Sequence, residues 1–218
     1  LKIDPSKDEV TVIGDHLPKG LWKWHGGLAS KDGTKIIGFP NNSDTILVVD
    51  VPAERVYTID GGAKGILSSG RHRRPHNGKY KYLGGSLSPG DGRYAYLFPS
   101  CAERILRIDL VTDDVRCVGP LLLEGRAKYQ NGFSSENDGA VYGIPQNARC
   151  VVRIVPPRGD DDDEEVVDMV YCGDDFLPYG DKFEGGVQGK DGSIYCMPLR
   201  AKAVLKVIPP VAPGRGGG

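Results

Sequence analysis

The chain has 218 residues, with 28 Lys and Arg against 29 Asp and Glu and a net charge of −1. That balance provides no electrostatic footprint for nucleic acid or an anionic membrane, and no apolar run is long enough to cross a bilayer as a helix. The length suits a single all-β domain. The N-terminus shows no signal-peptide pattern. Cys101, Cys117, Cys150, Cys172 and Cys196 are odd in number and lack a short metal-ligand spacing, so they read as reduced, packed thiols in a cytoplasmic setting.

In chain order, residues 1–14 (LKIDPSKDEVTVIG) read as the outer strands c and d of a unit whose strands a and b are missing. Four versions of one motif follow: KWHGGLASKDGTKIIGFP from Lys23, KYLGGSLSPGDGRYAYLFP from Lys81, KYQNGFSSENDGAVYGIP from Lys128 and KFEGGVQGKDGSIYCMP from Lys182. Their aromatics, Trp24, Tyr82, Tyr129 and Phe183, are spaced by 58, 47 and 54 residues. Such periods are longer than most solenoid repeats and fit the blades of a β-propeller.

The second unit supplies four strands, GGSLS, RYAYLFP, RILRIDL and DVRCVG, rich in β-branched and aromatic residues. Between strands a and b each unit carries Asp-Gly, at Asp32-Gly33, Asp91-Gly92, Asp138-Gly139 and Asp191-Gly192; these aspartates read as turn formers rather than acids of catalysis. The last repeat ends with strand b at 193–198 and strand c at 203–208, before a Pro/Gly-rich tail at 209–218. The expectation is an all-β propeller over residues 1–208, with about four blades, or five with one partial. The Val10–Ile13 strand would close the last blade and protect its edge, although strand c then occurs twice.

The combination of K-aromatic-x-G-G, D-G-x-I-Y-x-x-P and V-L-x-I-D resembles the tandem repeats of NHL-like and YncE-like propeller proteins. The resemblance spans nearly the whole chain and implies architecture rather than activity. Within similar folds, the gluconolactonase group holds a divalent metal through Glu, Asn and Asp at its channel. By that likeness Asn131, Asn147 and Glu184 are the candidate ligands for a divalent metal in a lactonase-like hydrolase, which is the alternative reading.

The main functional expectation is a non-enzymatic module presenting one loop face to a protein, glycan or small polar ligand. A site belongs where equivalent positions stop being equivalent. After the aromatic come His25, Leu83, Gln130 and Glu184, and the following Gly is replaced only at Asn131. His25, Gln130, Asn131 and Glu184, with Trp24 and Tyr129 beside them, are therefore the candidate ligand contacts at the channel mouth. Two charge runs interrupt the repeats. The basic run at 71–79, with Arg71, Arg73 and Arg74, suits an acidic partner, and the acidic run at 158–165 reads as a solvated hairpin tip. A cation recurs in strand c at Lys2, Arg107, Arg153 and Lys206, and reads as structural.

Overall fold

The computed structural model describes residues 1–14, 16–60, 79–123, 125–157, 164–174 and 180–211. Those residues form seventeen strands in antiparallel sheets, each sheet a meander in sequence order. A two-stranded hairpin, β1 (Lys2–Asp4) and β2 (Glu9–Thr11), comes first. The first repeat forms β3 (Trp24–Ala29), β4 (Lys35–Pro40), β5 (Ile46–Asp50) and β6 (Arg55–Ile59). The second forms β7 (Tyr82–Leu87), β8 (Tyr94–Pro99), β9 (Ile105–Asp109) and β10 (Val115–Val118). The third forms β11 (Tyr129–Ser135), β12 (Ala140–Pro145), β13 (Cys150–Val155) and β14 (Val166–Tyr171). The fourth forms β15 (Phe183–Gln188), β16 (Ile194–Pro198) and β17 (Leu205–Val207), three strands among the described residues. No helix of the described residues is long and apolar enough to cross a membrane.

The Asp-Gly turns work as their chemistry requires. Gly33, Gly92, Gly139 and Gly192 all have φ between +71° and +77°, a conformation that costs glycine nothing sterically. Each Asp carboxylate accepts a backbone N–H two residues on, from Thr34, Arg93, Ala140 and Ser193. These Asx turns close the inner hairpins.

The sheets stack in succession, and each buries one face against the next. Ile37, Phe39, Ile46 and Val48 of the first pack on Ala95, Leu97, Leu106 and Ile108 of the second. Tyr96, Phe98 and Ile105 of the second pack on Val141, Val152 and Ile154 of the third, and Tyr142, Ile144 and Val151 of the third meet Phe183, Ile194 and Cys196 of the fourth. The fit depends on missing side chains. A Cβ added to Gly143 would lie 2.6 Å from the Phe98 ring, and one added to Gly132 only 2.1 Å from it. Large ring on one sheet and glycine on the next interlock like a peg in a hole.

A second tie crosses the joints on the backbone. Asn41 N–H donates to the Lys23 carbonyl (3.0 Å) and Lys81 N–H to the Asn41 carbonyl (3.1 Å). The relay continues from Ser100 to Lys81, Lys128 to Ser100, Gln146 to Lys128, Lys182 to Gln146 and Leu199 to Lys182. From the second repeat on, each opening lysine is thereby bonded to the residue that follows the strand-b proline of the repeat before it.

The expected closure by the N-terminal strand is corrected. Val10 pairs with Ile3 inside the β1–β2 hairpin, not with the fourth sheet, whose β16 edge is taken by β17. The hairpin rests by the first sheet instead: Gly14 packs on Val56, and Lys2 bonds Glu54. Local closure explains the choice. Ser6 N–H and Oγ both donate to the Asp4 carboxylate, forming a tight turn, whereas pairing with the fourth sheet must close a loop most of the chain long, at a greater entropic cost.

Candidate binding rim

Every inner hairpin contains the same irregularity. The register shifts between Trp24 and Gly27, Tyr82 and Gly84, Tyr129 and Gly132, and Phe183 and Gly186. Each shift inserts one extra residue in strand a, a β-bulge, and bulges re-aim side chains. His25, Gln130, Asn131 and Glu184 occupy these bulges. The symmetry-breaking residues therefore share one structural position at one end of the inner strands.

The third and fourth bulges touch directly: Gln130 Nε2 donates to Glu184 Oε1 at 3.1 Å. Glu184 and His25 are exposed, and Gln130 is half-buried. The second and third sheets come close here as well, because a Cβ on Gly84 would lie 1.9 Å from the Gln130 carbonyl oxygen. Asn131 Oδ1 accepts from Gly132 N–H at 2.9 Å. Asn147 lies apart from this pair, in the loop after β12. Its amide oxygen accepts from Asp181 N–H while its NH₂ donates to the Arg126 carbonyl (3.0 Å) and the Asp181 carboxylate (3.3 Å). The expected metal ligands Asn131, Asn147 and Glu184 thus have separate hydrogen-bonding duties, and among the described residues no group of three His, Cys, Asp or Glu is placed to hold an ion.

The aromatics hold the bulges from below. Trp24 Nε1 donates to the Thr45 carbonyl (2.7 Å), Tyr82 to the Arg104 carbonyl (2.9 Å) and Tyr129 to the Cys150 carbonyl (3.1 Å), equivalent points where strand c begins. Tyr129 is fully buried, and burial pushes its phenol well above the ordinary value of 10. Tyr129 thus packs as an anchor beneath the rim, and Trp24 makes the same kind of bond from a half-buried site.

The sequence reading assigned no role to the lysine that opens each repeat. Lys81, Lys128 and Lys182 are all buried. Lys81 Nζ reaches Asp44 Oδ1 at 3.3 Å and Lys182 Nζ reaches the Ala148 carbonyl at 2.8 Å. Burial lowers the pKa values of Lys128 and Lys182. Their recurrence immediately before the aromatic was the available signal. Asn41, which follows the strand-b proline of the first repeat, is likewise buried within the relay.

Of the charge runs, Arg71, Arg73 and Arg74 lie outside the described residues, as does most of the acidic run. Its last member differs from a solvated tip. The Glu165 side chain is buried and accepts from Arg107 Nη1 (2.8 Å) and the Tyr96 hydroxyl (3.3 Å), joining the third sheet to the second. The strand-c cations are paired as expected of structural residues: Arg153 bonds Asp138 and Asp168, and Lys206 lies 3.6 Å from Asp191.

No protein-family model matches the sequence, and no curated protein matches it. Solved structures do. A catalytically inactive virginiamycin B lyase from Staphylococcus aureus, solved with quinupristin, matches with a TM-score of 0.58 at 13% identity, over 90% of this chain and 59% of that one. Kuenenia stuttgartiensis hydrazine synthase matches at 0.54 and 14% identity, over 86% of this chain and 45% of that one. A chain of the mitotic checkpoint complex matches at 0.54 and 10% identity, over 83% and 48%. This chain spans three-fifths or less of the length of these structures. At such identities the likeness is one of fold, and the fold is that of the β-propellers, as the repeats imply.

Proposed function

We propose that the chain is a non-enzymatic propeller module whose bulge rim binds a protein or a small polar ligand. The supporting observation is the placement of His25, Gln130, Asn131 and Glu184 in equivalent bulges, with Gln130 and Glu184 in contact across a joint. Identical bulges recognise nothing asymmetric; an imidazole, an amide pair and a carboxylate in the same positions do. The exposed Glu184 carboxylate and His25 select a ligand rich in donors, such as an ammonium or polyhydroxyl group.

A panel of amino acids, amines and oligosaccharides screened by thermal shift tests this reading, since a ligand that binds only the folded state raises Tm. A compound that stabilises the protein is expected to lose its effect in the Gln130→Ala/Glu184→Ala variant, whose own Tm stays near the parent's. A shift that survives both substitutions places binding elsewhere and rejects the rim.

A further inference from the structure

The residue just before each repeat-opening lysine is held in one unusual conformation. Trp22, Tyr80, Ala127 and Asp181 have φ between +50° and +53°, left-handed backbone that is hardest on a bulky side chain. Their carbonyls explain the recurrence: each accepts from the second residue after the strand-b proline, Asn42, Cys101, Asn147 or Arg200, at 2.9 to 3.1 Å. The fold therefore fixes the backbone here and leaves the side chain open. Ala127 meets the demand with a methyl group, and Asp181 with a carboxylate that accepts from Gln146 and Asn147. The two aromatic rings are neither favoured by the backbone nor used by the core. Trp22 is 67% exposed, and Tyr80 stays 41% exposed although the sheets before and after its own are both present.

Asn42 sets the two rings side by side. Its Oδ1 accepts from the Tyr80 N–H (3.1 Å) and its Nδ2 donates to the Leu21 carbonyl (3.3 Å), so one amide ties together the loops that carry both aromatics. The ring centroids lie 6.4 Å apart at an interplanar angle of 37°. Trp22 forms one wall of a cavity of about 630 Å³ bounded by residues 18–23, 42–45 and Lys79, a volume typical of ligand sites. Tyr80 continues the aromatic surface from Trp22, and no residue of the bulge rim lines the cavity. The cations around it differ in their duties. Lys23 and Lys81 are committed to the Pro18 carbonyl and to Asp44, whereas Lys19 and Lys79 are exposed and make no ion pair among the described residues.

We infer that this aromatic cleft is a second binding site, for a carboxylate-bearing oligosaccharide. The C–H groups on one face of a pyranose carry slight positive charge and meet the negative face of an aromatic ring. Two neighbouring rings suit two successive sugar units, and a sugar carboxylate pairs with the Lys19 and Lys79 ammonium groups. The polar side chains nearby are largely committed to one another, Ser43 to Thr45 and Asn42 to the two loops, so stacking and charge carry the recognition. A nucleic acid also stacks, but it binds through many phosphates, and two unpaired lysines in a chain of net charge −1 provide no such field. The cleft is independent of the ligand reading above, and either site can fail alone.

Trp22 is one of two tryptophans in the chain, so fluorescence follows titration with trigalacturonate and sialyllactose up to about 10 mM, and calorimetry gives the affinities of the variants. The expected result is saturable binding at least about tenfold tighter than that of the neutral counterparts, methyl-esterified trigalacturonate and lactose. Trp22→Gly and Tyr80→Gly remove the rings and leave a residue that adopts positive φ freely, so Tm stays near the parent's. Each is expected to weaken binding at least about tenfold, while Ala127→Gly, the same change at an equivalent position away from the cavity, leaves binding intact. Lys19→Gln/Lys79→Gln is expected to bring the acidic probes and their neutral counterparts to equal affinity. No saturable binding of either acidic probe, equal affinity for the neutral ones in the parent protein, or binding that withstands both glycine substitutions overturns the inference. So does a large fall in Tm in both glycine variants, which would make the rings a staple of the first joint, or tighter binding of a uridine oligonucleotide, which would make the cleft a nucleic-acid site.

Discussion

The joint between the second and third sheets and the open flank of the fourth are made from equivalent residues under opposite conditions. In the first, Phe98 is enclosed by Gly132 and Gly143, with Tyr129 at 6.3 Å between ring centroids. In the second, Met197 holds the position of Phe98 with no sheet beyond it among the described residues. The contrast teaches that a repeat residue's energetic worth is set by the neighbouring sheet and not by the motif.

Truncation should expose this difference most strongly. Phe98→Ala is expected to cost ~3–5 kcal/mol, as large core deletions do, whereas Met197→Ala costs under ~1 kcal/mol, as at other partly exposed sites. Urea unfolding of dilute protein measures both. Equal losses would mean that Met197 is covered as Phe98 is.

The buried ion pair comes next. Glu165→Ala leaves the Arg107 guanidinium buried without its closest carboxylate, and breaking such a pair costs ~3 kcal/mol or more; its exposed neighbour gives Glu164→Ala a change within ~0.5 kcal/mol. Denaturant midpoints for the two variants decide. If both behave like surface changes, Glu165 belongs to a solvated tip after all.

A smaller effect comes from filling the glycine holes. Gly143→Ala forces a methyl against Phe98 and Val152 and is expected to cost ~1–3 kcal/mol. Gly38→Ala meets chiefly the Leu47 side chain at 3.0 Å and is tolerated better. Thermal midpoints of the two variants in dilute solution should differ in that order.

The same burial has a pH signature at the third joint. Burial pushes the Cys196 thiol up to about 12 from the model-compound 9.0. The folded state keeps this proton while the unfolded chain loses it, so the stabilisation is complete below pH 9 and declines as pH rises from 9 towards 12. Cys196→Ala should flatten the decline by at most ~1.4 kcal/mol per pH unit, the share of one proton. An unchanged slope would show that the thiol is not sealed by the third sheet.

Much of the architecture was legible because the determinants are local. Asp-Gly at the same place in each repeat announces a tight hairpin, and the observed φ values and Asx bonds carry it out. The joints were less legible, since identical residues become covered or exposed according to which sheet stands beside them; Ile36 and Ile194 share a position and differ completely in exposure. The N-terminal strand was assigned to the wrong partner because an edge's need for cover does not show that a local turn at Asp4 already supplies one. At the rim, asymmetry among His25, Gln130, Asn131 and Glu184 was visible in the alignment of repeats, but the bulge that carries them appears only in the pairing register. The burial of Tyr129 was hidden for the same reason: the motif does not tell which way an aromatic next to a bulge turns.

Amide hydrogen exchange at the four repeat-opening lysines tests the central claim most directly. Lys81, Lys128 and Lys182 donate across completed joints and should be protected, with Lys23, whose amide takes no part in the joint relay among the described residues, exchanging fast. Equal protection of all four would contradict the account in which each lysine amide is protected by the joint to the preceding sheet.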